Sequence, residues 1–271
     1  MSEPFGKGEK EMKISVYIAS NKPYAFPADP VYLPIQVGRQ LSTDSFTEVT
    51  DGTGDNISEK NKTYCELTAL YWMWKNDRDS DYLGLCHYRR YFAGRRFGKK
   101  RDRILTGPSI ESIFAKNPVA VIVPKKRNYL WDTLYSHYAH THGAEHLDIA
   151  RQILVARCPE YVGAFDRTMK RHTAYMFNMF IMSRESVAAY SKWLFDVLEE
   201  MESRIDTSEM SAFDARLFGR VSELLFNVWL EKNRMSCVAV GYVNLSKTRW
   251  AGKIKAYLSS KFFGKKLEQS Y

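Results

Sequence analysis

Three basic side chains, His87, Arg89 and Arg90, come directly after a short apolar run within residues 81–92. The run follows a charged segment and is typical of a buried strand in a parallel sheet. Open α/β sheets bind their ligands at the carboxyl ends of such strands. Because successive residues of an extended chain point to opposite sides, we expect His87 and Arg89 to face the same way. Cationic donors at this edge favour a phosphate or pyrophosphate, although a solvated basic turn explains the same pattern.

A polar stripe crosses the last strongly apolar helical segment of the chain. Its members recur at offsets of four, three and four residues, and apolar side chains occupy another side of the same predicted helix. The stripe consists of Arg216, Arg220, Glu223 and Asn227. Glu223 is a candidate general base, because a carboxylate beside a hydroxyl nucleophile can accept its proton. The alternative is a surface pair between Arg220 and Glu223, which contributes only tenths of a kcal/mol.

Polar residues also follow the first predicted strand, at residues 13–19. The loop after this strand contains Ser20, Asn21 and Tyr24, and it lies at the ligand edge if the strand belongs to a nucleotide-binding sheet. In that position Tyr24 can stack on a base, and Ser20 or Asn21 can hydrogen-bond the edge of the base. The alternative is an ordinary polar turn that ends at Pro23.

A glycine-containing turn at residues 51–56 precedes another predicted helix. Its two glycines permit backbone shapes that other residues avoid, and Asn56 with Glu59 three residues later fits a helix cap. The free N–H groups of that helix terminus can hold an anion, and Asp55 and Asn56 can instead bond the hydroxyls of a sugar. Capping alone accounts for Asn56 without any ligand.

Four separated stretches together resemble a family of bacterial capsule and exopolysaccharide glycosyltransferases that was long catalogued as a domain of unknown function. The most characteristic stretch is residues 82–92, and the other three are residues 16–24, 51–61 and 218–226. The resemblance extends from about residue 12 to about residue 243. It implies a GT-A-like α/β fold, with a mostly parallel sheet flanked by helices, and a transferase that uses a nucleotide sugar. Family members that are better understood look like galactofuranosyltransferases.

The resemblance assigns roles to the candidate residues. A hexose, with galactofuranose from UDP-galactofuranose as the best guess, is expected to be transferred with inversion to a lipid-linked oligosaccharide. Glu223 becomes the base at the acceptor hydroxyl, with Asp214 in reserve, and the resemblance implies that Arg89 and His87 complete the catalytic set. The donor is expected to contact the polar residues of the first motifs and the basic turn: Ser20, Asn21, Tyr24, Asp55, Asn56, Asn61 and Arg90.

Acceptor-binding candidates lie further along the chain. Residues 175–183 are predicted to form an apolar strand that is interrupted by Asn178. A buried amide needs hydrogen-bond partners, so Asn178 is either satisfied within the core or binds the acceptor or its sugar. His172 precedes the strand and can join such a site, and Arg220 of the polar stripe is a third candidate.

Residues 131–156 are predicted to be mostly helical and contain a group of histidines between His137 and His146. The fragment at residues 142–146 matches the HxxEH pattern of a zinc peptidase family, so a zinc-dependent hydrolase is an alternative function. Gly143 weakens the helix at this point, and a catalytic zinc site needs a third ligand. Acceptor binding or surface histidines explain the group better, and we expect no metal site here.

Composition and charge limit the remaining possibilities. The chain has 271 residues, of which 45% are hydrophobic and 14% aromatic, and this length and composition are sufficient for one large folded domain. We predict that the domain covers residues 12–244 and follows a disordered stretch at residues 1–11. The net charge of +9 favours anionic partners. No segment resembles a signal peptide or a membrane span, and the four scattered cysteines fit reduced thiols in a cytoplasmic protein.

Residues 245–271 form a basic segment in which lysine and arginine alternate with aromatic and aliphatic residues. This pattern is typical of a helix that lies on an anionic membrane, and the alternative is a helix packed on the domain. We expect membrane contact from the inner face of the plasma membrane, because a lipid-linked acceptor would be found there. Aromatic interleaving is too sparse in the other basic run, residues 95–103, to predict nucleic-acid binding. A noncatalytic basic adaptor, bound to membranes or nucleic acid, is the remaining alternative.

Most GT-A transferases hold a divalent metal with an Asp-x-Asp motif after the strand that corresponds to residues 82–87. Here that position reads His87-Tyr88-Arg89. Cations in place of carboxylates can neutralise a leaving diphosphate directly, and stabilisation of the leaving group is commonly a large catalytic term. We therefore predict transfer without a metal cofactor.

Overall fold

The structure, a computed structural model, describes residues 12–246, and the stretches predicted to be disordered (1–11) and membrane-bound (most of 245–271) lie outside that range. The fold is mixed α/β. The strands are β1 Ile14–Ser20, β2 Tyr32–Gln36, β3 Val49–Thr50, β4 Tyr82–His87, β5 Arg90–Ala93, β6 Val121–Pro124, β7 Arg127–Asn128, β8 Thr173–Ala174, β9 Phe180–Ser183 and β10 Cys237–Asn244. The helices are α1 Asn61–Tyr64, α2 Leu67–Asn76, α3 Gly107–Lys116, α4 Leu134–His142, α5 Glu145–Arg157, α6 Val162–Met169, α7 Arg184–Glu202 and α8 Leu217–Lys232.

One half of the main sheet is parallel and carries the ligand edge that the sequence predicts. Its strands run in the order β3, β2, β1, β4, with Ala19 of β1 opposite His87 at the end of β4. The apolar residues of β1 and β4 are buried on both faces, as expected for central strands of a parallel sheet. The carboxyl ends of these four strands therefore meet at one edge.

The other half of the sheet is mixed rather than mostly parallel. Strand β4 pairs antiparallel with both β5 and β9, and the sequence of pairings from β5 through β10 and β6 to β9 closes a small five-stranded ring. Gly84 permits this closure, because a Cβ atom there would lie 2.8 Å from Ile181 and 3.0 Å from the carbonyl oxygen of Phe180. The expectation of a mostly parallel sheet is thus correct for β3, β2, β1 and β4 and for the β10–β6 pair, whereas the other pairings of the ring are antiparallel.

Helices cover the sheet on both faces and enclose two apolar cores. The larger core contains the buried sides of α2, α5, α7 and α8, and the smaller one lies between the sheet and α3. Ser183 caps α7 by accepting a hydrogen bond from the backbone N–H of Ser186, as its position before the predicted helix indicates. Within residues 12–246 no helix is both long and apolar enough to cross a bilayer.

Two local departures from the predicted elements shape the site. The helix predicted after residue 56 is broken at Cys65, whose φ of 55° lies in the left-handed region, so that α1 and α2 are separate. Strand β4 ends at His87, and a two-residue turn through Tyr88 and Arg89 leads into β5, where Arg90 pairs with His87. An extended chain through His87 and Arg89 was therefore the wrong prediction.

Candidate active site

The site is built where α8 meets the carboxyl end of β4. The chain between α6 and β9, which we call the 171–178 segment, runs along the polar stripe of α8. The guanidinium of Arg171 donates to Glu231, and the backbone of Tyr175 exchanges two hydrogen bonds with the side-chain amide of Asn227, at 2.8 and 2.9 Å. Asn227 of the predicted stripe and Glu231, one turn further along α8, thus hold this segment.

A tight turn at the end of the 171–178 segment is the centre of the site. Phe177 and Asn178 have φ values of 79° and 49°, which are costly for residues other than glycine. The carbonyl oxygen of Phe177 lies 2.5 Å from Nε2 of His87, and its ring lies 4.6 Å from the guanidinium of Arg90. The backbone of Phe177 also hydrogen-bonds the Glu223 carboxyl. One strained residue therefore contacts three of the predicted site residues, and residues 175–179 are not part of the strand that the apolar pattern predicted.

The side chain of Asn178 holds this turn through three hydrogen bonds. Its Nδ2 donates to Oε1 of Glu66 at 2.8 Å and to the carbonyl oxygen of Gly219 at 2.9 Å. Its Oδ1 accepts from the hydroxyl of Ser222 at 3.1 Å, and the side chain is buried. These contacts fit the alternative of an amide satisfied within the core, and the acceptor-binding role of Asn178 stays a prediction.

Replacement of Asn178 by Ala should lower the free energy of unfolding by about 2–4 kcal/mol, because two buried partners, Gly219 and Ser222, and the part-buried Glu66 lose their hydrogen bonds to its side chain. Denaturant titration measures this change. Asn117→Ala is the matched control, since Asn117 makes one exposed side-chain hydrogen bond, to Ser236, and should change stability by less than about 1 kcal/mol. A loss below 1 kcal/mol for Asn178→Ala would contradict the structural role.

Glu223 has the properties of a group that exchanges a proton near neutral pH. It lies in the first half of α8, half-buried, under the Phe177 turn. Burial raises the pKa of its carboxyl to about 7, and the negative charge of Glu66 adds to the shift against the opposing charges of Arg90 and Arg127. A carboxyl with this pKa can accept a proton efficiently at neutral pH.

Burial favours the neutral form of the His87 imidazole, and the catalytic role predicted for this residue stays a prediction. Burial lowers its pKa, and the neighbouring Arg90 lowers it further against the opposing charge of Glu66, whose Oε1 is 3.8 Å from Nε2. Because Nε2 faces the carbonyl oxygen of Phe177, that nitrogen carries the proton and donates. His87 therefore positions the turn, and the positive charge of the site comes from the arginines.

Arg89 and Arg90 lie side by side at the turn that follows β4. Burial lowers the pKa of Arg90, and the adjacent Arg89 lowers it further, so the two guanidinium groups repel each other. Arg90 lies over the Phe177 ring and Arg89 lies 5.6 Å from the Tyr88 ring. Among residues 12–246, neither has a carboxylate within ion-pair distance. Two half-buried cations without a paired acid form a suitable place for an anionic ligand.

The predicted nucleoside-binding loop lies beside the arginines. The ring of Tyr24 packs edge-on against Tyr88 at 5.2 Å, which places it next to the turn that carries Arg89. Asn21 is exposed, whereas Ser20 is buried and donates its hydroxyl proton to the carbonyl oxygen of Lys22 at 2.6 Å. Tyr24 and Asn21 are thus accessible at the predicted edge, and Ser20 shapes the turn.

The residues of the glycine-containing turn are engaged with the rest of the chain. Asp55 accepts from the hydroxyl of Tyr71 and its backbone binds Asn76, at the C-terminal end of α2. Glu66 lies at the opposite, N-terminal end of α2. The ten residues of this helix span about 15 Å, so Asp55 and Glu66 lie at opposite ends of it. Asn56 accepts from the backbone N–H of Ser58 in a local turn. The short helix Ser58–Lys60 begins after Ile57 and has no side-chain cap, so the capping role predicted for Asn56 is wrong.

Asn61 and two of the acceptor candidates also have partners within the chain. The amide of Asn61 donates to the carbonyl oxygen of Cys65 and stabilises the break between α1 and α2. Arg220 donates to the carbonyl oxygen of Phe213 and lies 4.0 Å from its ring, so the alternative Arg220–Glu223 surface pair does not form. His172 is exposed, with Nδ1 2.9 Å from the carbonyl oxygen of Asp132.

The histidine group does not form a zinc site. Gly143, with a φ of 94°, ends α4, so His142 and His146 belong to different helices. His146 instead shares a hydrogen bond with the hydroxyl of Tyr138 at 3.1 Å. Across the described range 12–246, no three His, Cys, Asp or Glu side chains are close enough to hold a metal ion. The zinc-hydrolase alternative therefore lacks a ligand set in this part of the chain.

Sequence analysis missed Glu66, the second carboxylate of the site. Glu66 accepts a hydrogen bond from Asn178, and its charge acts on both His87 and Glu223. These partners are between 21 and 157 positions away in the sequence, so no local spacing marks the residue. The one local signal is its place directly after the break at Cys65.

Comparisons with solved structures identify a similar fold. The apo structure of the WbbM bifunctional glycosyltransferase matches with a TM-score of 0.80 and 28% identity, over 87% of this chain and 46% of that chain. This chain therefore spans about half the length of the WbbM chain. Two structures of the mannosyltransferase Ktr4p from S. cerevisiae, one with GDP, match at a TM-score of 0.35 and 11% identity over 89% of this chain and 75% of theirs, which is too low to support a conclusion.

A search of curated proteins gives no significant match. A family model does match: residues 15–234 fit the model described as a domain of unknown function, DUF4422. The matched range includes the basic turn after β4, the Phe177 turn and Glu223. Because this range covers most of the 271 residues, the chain belongs to the DUF4422 family.

Proposed function

We propose that this chain is a glycosyltransferase that moves a hexose from a nucleotide-sugar donor to an acceptor hydroxyl. The observation that carries the proposal is the half-buried carboxyl of Glu223, with a pKa of about 7, within the electrostatic reach of the arginine-rich turn after β4. The similarity to WbbM, described as a bifunctional glycosyltransferase, supports the reaction class. The parallel order of β3, β2, β1 and β4 supports a GT-A-like arrangement of the donor half.

The proposed mechanism is a single displacement with inversion. The acceptor oxygen attacks the anomeric carbon as the bond to the donor diphosphate breaks, and Glu223 takes the hydroxyl proton. Arg89 and Arg90 stabilise the negative charge that develops on the leaving diphosphate. His87 stays neutral and holds the Phe177 turn over Glu223, so its contribution is positional.

The donor and acceptor are proposed from the resemblance of the motifs. The proposed donor is UDP-galactofuranose, with the base beside Tyr24 and the diphosphate at Arg89 and Arg90. The acceptor is proposed to be a lipid-linked oligosaccharide in capsule, exopolysaccharide or O-antigen synthesis. A location in the cytoplasm, on the inner face of the plasma membrane, follows from that acceptor and from the basic residues after position 246.

The donor is tested by thermal-shift measurements with UDP, GDP, CMP and their sugars, followed by a transfer assay with the sugars that stabilise the chain. A ligand that binds only the folded state raises Tm, so the cognate nucleotide should stand apart from the others. Stabilisation by UDP and its galactofuranose derivative is the expected result. If no nucleotide raises Tm and no sugar is transferred, the proposed glycosyltransferase function is wrong.

Transfer should continue in excess EDTA. His87 and Arg89 stand where most GT-A transferases have metal-binding carboxylates, and Arg89 and Arg90 supply positive charge beside them, so charge neutralisation of the diphosphate does not require a divalent ion. The measurement is the initial rate of sugar transfer with EDTA, compared with the rates in Mg²⁺ and in Mn²⁺. Rates within about twofold of each other are expected, and a strict requirement for either ion would contradict the prediction.

A further inference from the structure

A polar cleft of about 720 Å³ opens between α6 and the C-terminal half of α8, away from the Glu223 site. This volume is in the range of small-molecule sites. We call it the α6–α8 cleft and define it by six charged residues that line it: Lys126, Arg167, Arg171, Glu231, Lys232 and Arg234.

The charge of the α6–α8 cleft is strongly positive. Five basic and two acidic side chains line it, and the second acid is Glu160. A concave surface of one sign concentrates counter-ions of the opposite sign. The cleft therefore selects for an anionic ligand.

Two of the arginines are held in fixed positions by one carboxylate. Glu231 accepts from Nε of Arg167 at 3.1 Å and from Nη2 of Arg171 at 2.5 Å. Each guanidinium has five N–H donors, so most donors of both groups stay available for a ligand. A guanidinium group held in this way can donate two parallel hydrogen bonds to the oxygens of a phosphate.

Three other cations of the cleft have no acidic partner among residues 12–246. Lys126 lies 4.9 Å from the Tyr175 ring and Lys232 lies 4.7 Å from the Tyr161 ring. Arg234 has a φ of 50° at the end of α8, a position that glycine usually takes. Because none of the three forms an ion pair within the described range, they add to the positive charge of the cleft.

The cleft is separate from the Glu223 site. Glu223 and Glu231 are eight residues apart on α8, which corresponds to about 12 Å along the helix axis. Between Glu223 and Glu231, the backbone of Tyr175 crosses α8 and is hydrogen-bonded to the side chain of Asn227. A ligand in the cleft therefore contacts residues that the proposed transfer reaction does not use.

We propose that the α6–α8 cleft binds a phosphate-bearing ligand, with Arg167 and Arg171 as the fixed phosphate contacts and Lys126 and Arg234 as additional cations. The phosphate group can belong to a soluble phosphorylated compound or to a lipid headgroup. This inference rests on the cleft alone and holds whether or not the chain transfers sugars.

Isothermal titration with inorganic pyrophosphate tests the proposal. The variant Lys126→Glu/Arg234→Glu should weaken pyrophosphate binding at least about tenfold, since one charge-assisted hydrogen bond is sufficient for such a change. Both residues are exposed, so the variant should keep its fold and its Tm. The matched control is Lys116→Glu/Arg78→Glu, which makes the same charge change at exposed positions outside the cleft.

Pyrophosphate can also bind at Arg89, so Arg89→Glu is titrated in parallel. Binding that persists in Arg89→Glu and is lost in Lys126→Glu/Arg234→Glu supports the cleft. Binding that is lost only in Arg89→Glu, or equally in the charge control, overturns the cleft proposal and leaves the proposed transferase function untouched. No binding to the unmodified chain at millimolar pyrophosphate also overturns it.

Vesicle sedimentation separates the two sources of phosphate. Phosphatidylglycerol vesicles are compared with phosphatidylcholine vesicles, with the unmodified chain and the same two variants. Loss of phosphatidylglycerol binding in Lys126→Glu/Arg234→Glu but not in the control assigns the cleft to a headgroup. Equal vesicle binding by all three proteins, with pyrophosphate binding lost only in the cleft variant, assigns it to a soluble phosphate. If all three proteins bind both probes equally, the cleft is not the site.

Discussion

Glu223→Gln should lower kcat for sugar transfer by about 100- to 10,000-fold, because Gln cannot accept the proton of the acceptor hydroxyl, and general-base catalysis contributes an effect of this size. The side chains are nearly isosteric, so the Phe177 turn should keep its place. The matched control is Glu199→Gln, an exposed position on α7, which should leave kcat unchanged. A loss below about tenfold would exclude Glu223 as the base, and Asp214 would then be tested in the same way.

The same substitution should stabilise the fold at alkaline pH. The pKa of Glu223 is about 7 in the folded chain, compared with 4.5 as its ordinary value, so the native state binds a proton that the unfolded state has lost between these pH values. The stability of the unmodified chain therefore falls as pH rises from about 4.5 through about 7. Gln does not ionise, and Glu223→Gln should be more stable by roughly 1–2 kcal/mol at pH ~8, with little difference at pH ~4.

The pH profile of kcat/KM provides an independent check on Glu223. Its acidic limb should have an apparent pKa of about 7, because the base must be ionised. Glu66→Gln removes a negative charge that raises this pKa, so the limb should move to lower pH. If the apparent pKa of the acidic limb is unchanged in Glu66→Gln, the charge of Glu66 does not contribute to the raised pKa of Glu223.

The regular elements were predictable from the sequence because their signals are local. The apolar runs of β1 and β4 and the 3.6-residue stripes of α7 and α8 depend on burial within single elements. The stripe of α8 also predicted that Glu223 and Asn227 lie on one side of a buried helix. The ring closure from β4 to β9 was not predictable, since it depends on pairings between strands about 100 residues apart.

The Phe177 turn shows why most of the site could not be predicted. Residues 175–183 are almost entirely apolar, which is a strand pattern, and only residues 180–183 adopt it. The left-handed backbone at Phe177 and Asn178 is held by His87, Glu66 and Glu223, from three distant parts of the chain. Tertiary contacts of this kind override local propensity and leave no mark in the spacing of residues.

Arg89→Ala should lower kcat by about 100–1,000-fold, which is the usual effect of the loss of one donor that stabilises developing charge. Arg89 is the better test of the arginine pair, because its guanidinium lies over the Tyr88 ring in the turn, whereas Arg90 pairs in the sheet and packs on Phe177. The substitution should therefore leave Tm within a few degrees of its original value. The measurement is kcat and the KM for the donor, with Arg95→Ala, an exposed arginine shortly after β5, as the control.

The variant Arg89→Lys separates the effect of the positive charge from the effect of the hydrogen-bond geometry of the guanidinium group. Arg89→Lys keeps the positive charge but loses the fork of N–H donors, so it should recover part of kcat if the diphosphate is neutralised by charge and little if two oxygens are bound together. Transfer by Arg89→Ala should also become dependent on Mg²⁺ or Mn²⁺ if a divalent ion can replace the missing charge. If Arg89→Ala lowers Tm as strongly as it lowers kcat, Arg89 is a structural residue of the turn, and the diphosphate must be neutralised elsewhere.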